Sequence, residues 1–162
     1  MIKKALLSLS LCSALVYLPA TQAADPVWLE DRTEQSYEIT VYHSPSCGCC
    51  KGWVDHLKEH NFKVKDVLTD DVNSHKVRLG VPQNAASCHT AVINGKVIEG
   101  HVPAQDIKAM LASSNDIRLL AVPGMPSGGP GMDYDGAPKD AFKVYAQSDS
   151  GKVTVFKEYS DY

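Results

Sequence analysis

Cys47, Cys49 and Cys50 crowd into the stretch HSPSCGCCKGW, residues 43–53. Cys47 and Cys50 satisfy C-x-x-C, a spacing that closes into a disulfide or grips a metal. Cys49 sits inside that pair, where it would compete as a nucleophile in a simple dithiol cycle. Cys88, in SCHT at 87–90, is a further thiol that such a cycle does not need. Metal binding uses all four. The side chains of adjacent Cys49 and Cys50 diverge, which disfavours one tetrahedral ion shared with Cys47 and suits a small cluster with bridging thiolates. Soft sulfur donors select Cu(I) or zinc, and thioether sulfur tilts the choice towards Cu(I). Zinc normally takes two cysteine pairs or a Cys/His set of four, at spacings absent here. A thiol–disulfide oxidoreductase working through Cys47 and Cys50 remains the alternative.

Further donors accompany the thiols. His89 follows Cys88 directly, and His101 lies in EGHVP at the end of a β-rich run. Met125 and Met132 fall in a Gly/Pro-rich stretch that offers no core to bury them, so the usual role of methionine as apolar filler is weakened. His43 is read as facing solvent. His56 and His60 have the i, i+4 spacing of a zinc pair, but they flank the apolar stripe of a helix and are read as its solvated face. His75 has no companion, and Trp53 is read as core.

The elements that must position these groups are legible from period and turn chemistry. YEITVY at 37–42 alternates and is rich in β-branched and aromatic residues, predicting a strand. From Cys49 to about His60 the apolar positions Cys50, Trp53, Val54 and Leu57 recur at i, i+3, i+4, i+7, predicting an amphipathic helix. The thiols therefore sit at a strand-to-helix junction, where free N–H groups and the helix dipole favour the thiolate. FKVKDV at 62–67 predicts a second strand, and residues 70–80 a short helix opened by Asp70 or Asp71 and closed by Gly80. Two β-rich runs flank Asn94-Gly95, a strong hairpin signal, and residues 103–114 predict a third helix with Pro103 in its first turn. The order β-α-β-α-β-β-α is that of a thioredoxin-like α/β domain, whose strand before the hairpin approaches the thiol loop. After a Gly/Pro-rich loop, residues 141–159 alternate on both sides of SDSG and predict an extra terminal β-hairpin.

The 162-residue length suits a single core. Lys3 and Lys4, an apolar run from Ala5 to Leu18 and the small-residue site TQA at 21–23 predict an export signal, cleaved after Ala23, that takes Cys12 with it. The run is too short for a membrane anchor, so no span is expected after cleavage. Loss of those two lysines would make a chain of net charge −3 more acidic still, which disfavours nucleic acid and is compatible with cations.

The segments VYHSPSCGCCKGW, GVP at 80–82, SCHTAVI, IEGHVPA and VPGMPSGGPGM together resemble the CopG-like family of bacterial periplasmic copper-handling proteins, formerly described as a domain of unknown function. The resemblance runs from about Tyr37 to Met132. It implies a thioredoxin-like fold whose C-x-C-C loop nucleates a polynuclear copper cluster in a protein of copper resistance, with copper redox activity as an open question. It carries over Cys47, Cys49, Cys50, Cys88, His89, His101, Met125 and Met132 as ligands. Copper ions are the expected partners, with periplasmic copper efflux or chaperone proteins as further candidates. His43 is not carried over. The expected organisation is a signal at 1–23, an N-terminal segment at 24–36, a thioredoxin-like domain at 37–116, a Gly/Pro/Met loop at 117–140 and a hairpin at 141–162.

Overall fold

The computed structural model describes residues 25–162; the expected export signal, with Lys3, Lys4 and Cys12, lies outside them. Strand β1 (Tyr37–His43) directs Ile39, Val41 and His43 inward, as its alternation requires. It pairs in parallel with β2 (Phe62–Leu68), and helix α1 (Gly48–Glu59) makes the crossover between them. Cys50, Trp53, Val54 and Leu57 form the buried stripe of α1, at the spacing read from the sequence. Helix α2 (Val72–Arg78) is opened by Asp71, whose carboxylate accepts the Ser74 N–H at 3.1 Å. Gly80, at φ +66°, follows its end.

Strands β3 (Thr90–Ile93) and β4 (Lys96–Glu99) form the expected antiparallel hairpin, with Asn94 and Gly95 both at positive φ in the turn. β3 also pairs antiparallel with β1, Tyr42 opposite Thr90, so the chain just before β3 arrives beside the end of β1. Helix α3 (Ala104–Ala112) begins one residue after Pro103, which caps it instead of occupying its first turn.

Residues 117–121 correct the sequence reading, which began the loop there. IRLLA forms β5 (Ile117–Ala121), parallel to β4, because Ile117, Leu119, Leu120 and Ala121 are buried between neighbouring elements while Arg118 is half-buried and donates to the Gly80 carbonyl and Gln147. β5 joins the terminal hairpin, β6 (Phe142–Ser148) and β7 (Val153–Tyr159), to one seven-stranded sheet of order β2-β1-β3-β4-β5-β6-β7. The result is a thioredoxin-like α/β fold extended by a Gly/Pro-rich loop and a hairpin. Among the described residues no helix is long and apolar enough to cross a membrane.

Trp28, ahead of the sheet, ties these additions together. It is fully buried, its indole meets the rings of Phe142, Tyr159 and Tyr162, and its Nε1–H donates to the Gly128 carbonyl at 2.8 Å. One large side chain thus pins the N-terminal segment, the loop and the hairpin to the core.

His56 and His60 are the second correction. Both are buried, because the Trp28 segment and the start of α3 cover the side of α1 that local periodicity leaves open. The Ala104 N–H donates to His56 Nε2 at 3.0 Å, and His60 Nε2 donates to the Trp28 carbonyl at 2.5 Å. They fasten α1 to its neighbours. His43 is corrected likewise: it is wholly buried, with Nδ1 on the Ser44 carbonyl at 2.8 Å and Nε2 2.7 Å from Asp66 Oδ1.

Trp28→Ala is expected to cost about 3–5 kcal/mol, read as a lowered urea midpoint. Burial, reinforced by the neighbouring His60, holds His56 well below the ordinary histidine value of 6.5. Below that value the unfolded chain takes a proton here that the folded chain refuses, so stability falls as pH drops through this range. Asp106 opposes it, since burial pushes its carboxyl up to about 6 although the Tyr159 hydroxyl donates to it at 2.9 Å. The folded chain then holds that proton more tightly, and stability from this group rises as pH falls from about 6 towards 4. His56→Gln should flatten the loss of stability between about pH 7 and 5, and Asp106→Asn should steepen it, both measured by urea midpoints.

Candidate metal centre

Cys47 is the N-cap of α1, with no side-chain capping hydrogen bond, and Cys49 and Cys50 lie in the first turn. No acidic side chain shares that turn, so nothing competes with sulfur for the positive end of the helix. Cys47 and Cys50 are joined in a disulfide with their Cα atoms 5.3 Å apart, while Cys49 and Cys88 are free. Cys49 Sγ lies 3.6 Å from Cys47 Sγ and 3.8 Å from Cys88 Sγ. The four sulfurs all fall within 4.8 Å of one another. Of the two chemistries that the C-x-x-C spacing allows, the pair thus adopts the disulfide, with two thiols held against it.

Cys88 also belongs to a second group. His89 Nδ1 is 3.3 Å and His101 Nε2 3.2 Å from its sulfur, and these three donors again lie within 4.8 Å of one another. The Pro130 carbonyl sits 2.8 Å from His101 Nδ1. A carbonyl only accepts, so the proton is on Nδ1 and the Nε2 lone pair faces Cys88, the arrangement a metal-binding imidazole needs. His89 Nε2 is buried without a hydrogen-bond partner, and its ring lies against Trp53 at 4.3 Å and His101 at 4.9 Å. His89 Nδ1 and His101 Nε2, both facing the Cys88 sulfur, form a soft donor set that fits a soft cation.

Electrostatics keep the group neutral. Burial, aided by the nearby Cys49, pushes the Cys88 thiol up to about 12. Burial also depresses both imidazoles, His89 well below its ordinary range with His101 adding to the effect. The histidines are therefore in the uncharged form that ligates metals.

The turn carrying Cys88 is held from below by residues that the sequence reading did not single out. Glu99 is fully buried, and its Oε1 accepts both Lys76 Nζ and the Ser87 N–H at 2.6 Å. The Ser87 hydroxyl donates to the Gly124 carbonyl. Gly100, at φ +70°, makes this approach feasible: a Cβ there would lie 2.5 Å from the Val122 carbonyl oxygen and 2.7 Å from Ser87 Cβ. In sequence Lys76 and Glu99 look like ordinary surface charges; only the presence of Glu99 in the quoted IEGH segment marks it out.

The Gly/Pro loop is seated directly on the thiol helix. A Cβ on Gly131, itself at φ +79°, would meet Trp53 N at 2.5 Å and the Cys49 carbonyl oxygen at 2.7 Å. Backbone-to-backbone packing of this kind places Met132, half-buried, in a cleft of ≈450 Å3 that Cys49 also lines. Met125 is different: it follows Gly124 beside Ser87 but stays 56% exposed. The structure thus gathers Cys47, Cys49, Cys50, Cys88, His89 and His101, sets Met132 alongside, and leaves Met125 in solvent. His75 stacks on Tyr42 at 4.1 Å and meets Arg78 at 2.6 Å, apart from the group.

A family model described as a protein of unknown function, DUF411, matches residues 85–132, which carry Cys88, His89, His101 and both loop methionines. No curated protein matches the chain. Among solved structures, "Copper resistance protein copG- Form 2" is 44% identical with a TM-score of 0.74, covering 78% of this chain and 100% of that one. "Copper resistance protein copG- Form 1" is 45% identical with a TM-score of 0.72, covering 77% and 98%. With that identity over essentially the whole length of those proteins, the chain belongs to the CopG family of copper resistance proteins.

Proposed function

We propose that this protein binds several copper ions in a thiolate-bridged cluster and acts in copper resistance in the bacterial periplasm. The observation that carries the reading is Cys88, whose sulfur is shared between a four-sulfur group and a Cys/His group. A sulfur common to two donor sets suits a bridging thiolate. Cys47, Cys49, Cys50, Cys88, His89 and His101 would hold the ions, with Met132 as a thioether donor from the loop and Met125 reaching the cluster only if the loop tip turns inward. Copper as cargo accords with the names of the two related structures. Soft sulfur and neutral imidazole stabilise Cu(I), and a cluster joined through thiolates can pass electrons, so a copper redox role follows naturally from the same donors. Export through the N-terminal signal, and onward transfer to periplasmic efflux or chaperone proteins, belong to this proposal.

Metal analysis of the reduced protein after expression in copper-supplemented medium is expected to give more than one copper per chain. Less than one, with all thiols readily titrated, would refute the cluster.

The Cys47–Cys50 disulfide favours one rival, a thiol–disulfide oxidoreductase. That rival requires the Cys49→Ser/Cys88→Ser double variant to keep its disulfide reductase activity and Cys47→Ser to lose it. The copper reading expects the double variant to lose cluster binding and copper tolerance in cells instead.

A further inference from the structure

The thiolate is the form of cysteine that binds metal. With Cys47 and Cys50 bonded to each other, only Cys49 and Cys88 remain as thiols. Half of the gathered sulfurs are therefore closed to copper until the bond is broken. The two bonded sulfurs also differ in access: Cys50 is 0% exposed, whereas Cys47 is partly exposed and flanked by exposed Pro45, Ser46 and Gly48. Thiol–disulfide exchange needs a thiolate to reach one sulfur of the bond, and here only Cys47 offers itself to solution.

The geometry points to a reductive loading step, in which a partner dithiol attacks Cys47 and opens the Cys47–Cys50 disulfide before copper enters the four-sulfur site. This rests on the copper reading above. The attacking thiolate forms a bond to Cys47 Sγ as the Cys47–Cys50 bond breaks. Cys50 leaves with the electron pair and takes up a proton. The partner's second thiol then attacks the partner sulfur of the mixed disulfide, and Cys47 departs and is protonated. Two electrons and two protons pass to this protein, and the partner leaves as a disulfide.

Cys49 dictates that the donor be a dithiol. Its sulfur is 3.6 Å from that of Cys47. Once a monothiol is attached to Cys47, Cys49 can attack the same sulfur, expel the monothiol and close a Cys47–Cys49 disulfide. That returns the protein to an oxidised state. A second thiol carried on the donor is likewise intramolecular and competes with this back reaction, which a monothiol cannot do. A redox protein with a C-x-x-C pair has this chemistry, and the small residues around Cys47 leave it room to dock.

The test uses the metal-free protein with its Cys47–Cys50 bond intact, kept anaerobic and loaded with Cu(I) supplied as its acetonitrile complex. The four positions are followed by alkylation and peptide mass. Before reduction, Cys49 and Cys88 should alkylate and the copper retained through desalting should be lower by about twofold or more. Reduced thioredoxin should free all four sulfurs and restore loading, with a monothiol at equal thiol concentration slower by about fivefold or more. Thioredoxin lacking its resolving cysteine should be trapped on Cys47 in Cys49→Ser, where the expelling thiol is gone, and on nothing in Cys47→Ser. Full loading of the oxidised protein, equal rates with a monothiol, or a trap on Cys50 or Cys88 would overturn the inference. If the four-thiol protein holds no copper, the copper reading fails, while the position of the trap still decides the reductive step.

Discussion

The position of the Cys88 sulfur is the constraint on which this molecule depends. Three independent devices fix it. Antiparallel pairing of β3 with β1 carries the segment to the end of the strand that feeds α1. The buried Glu99 carboxylate anchors Ser87 from the strand below, and Gly100 lets the two chains close on each other. Remove any of them and the thiol of the second segment drifts from the thiols of the first, leaving a loop of three cysteines with no shared ligand. Charge inside a protein is costly unless compensated. The Lys76–Glu99 pair under this turn is compensated through one oxygen, Oε1, which accepts both the ammonium and the Ser87 N–H, while Oε2 is buried without a partner.

The second requirement is a roof. Pro130 and Gly131 supply it through backbone alone, the carbonyl of one setting the tautomer of His101 and the bare Cα of the other resting on the first turn of α1. The Gly/Pro-rich loop is therefore part of the centre's geometry, and the hairpin beyond it anchors the loop through Trp28 and its aromatic neighbours. The long extension after the thioredoxin-like elements thus has a structural reason: it brings polar backbone and a thioether to a site that the smaller fold leaves open.

Much of this was legible in the sequence. The 3.6 period of α1, the Asn94-Gly95 turn and the alternation of β1, β6 and β7 are local signals, and so is the placement of thiols at a strand-to-helix junction. What failed was non-local. β5 is a short run of four apolar residues interrupted by Arg118, indistinguishable by pattern from the start of a loop until a neighbouring strand covers it on each side. His43, His56 and His60 look like solvated polar residues because the groups that bury them come from β2, the Trp28 segment and α3. Lys76 and Glu99 are separated by 23 positions, and nothing in either neighbourhood announces their pairing. The cysteine spacing allowed both a disulfide and a metal; spacing alone could not choose, and the structure pairs Cys47 with Cys50 while leaving the other two thiols free.

On the copper reading proposed above, the neutrality of the Cys88 group bears on how metal is given up. Burial holds the proton on the Cys88 thiol, and that proton must leave before a soft ion can take the sulfur. Filling the centre is therefore an exchange of one kind of positive charge for another, and emptying it runs the same exchange in reverse. Protons and a bound soft ion would then compete for the same sulfur, and acid surroundings would favour release.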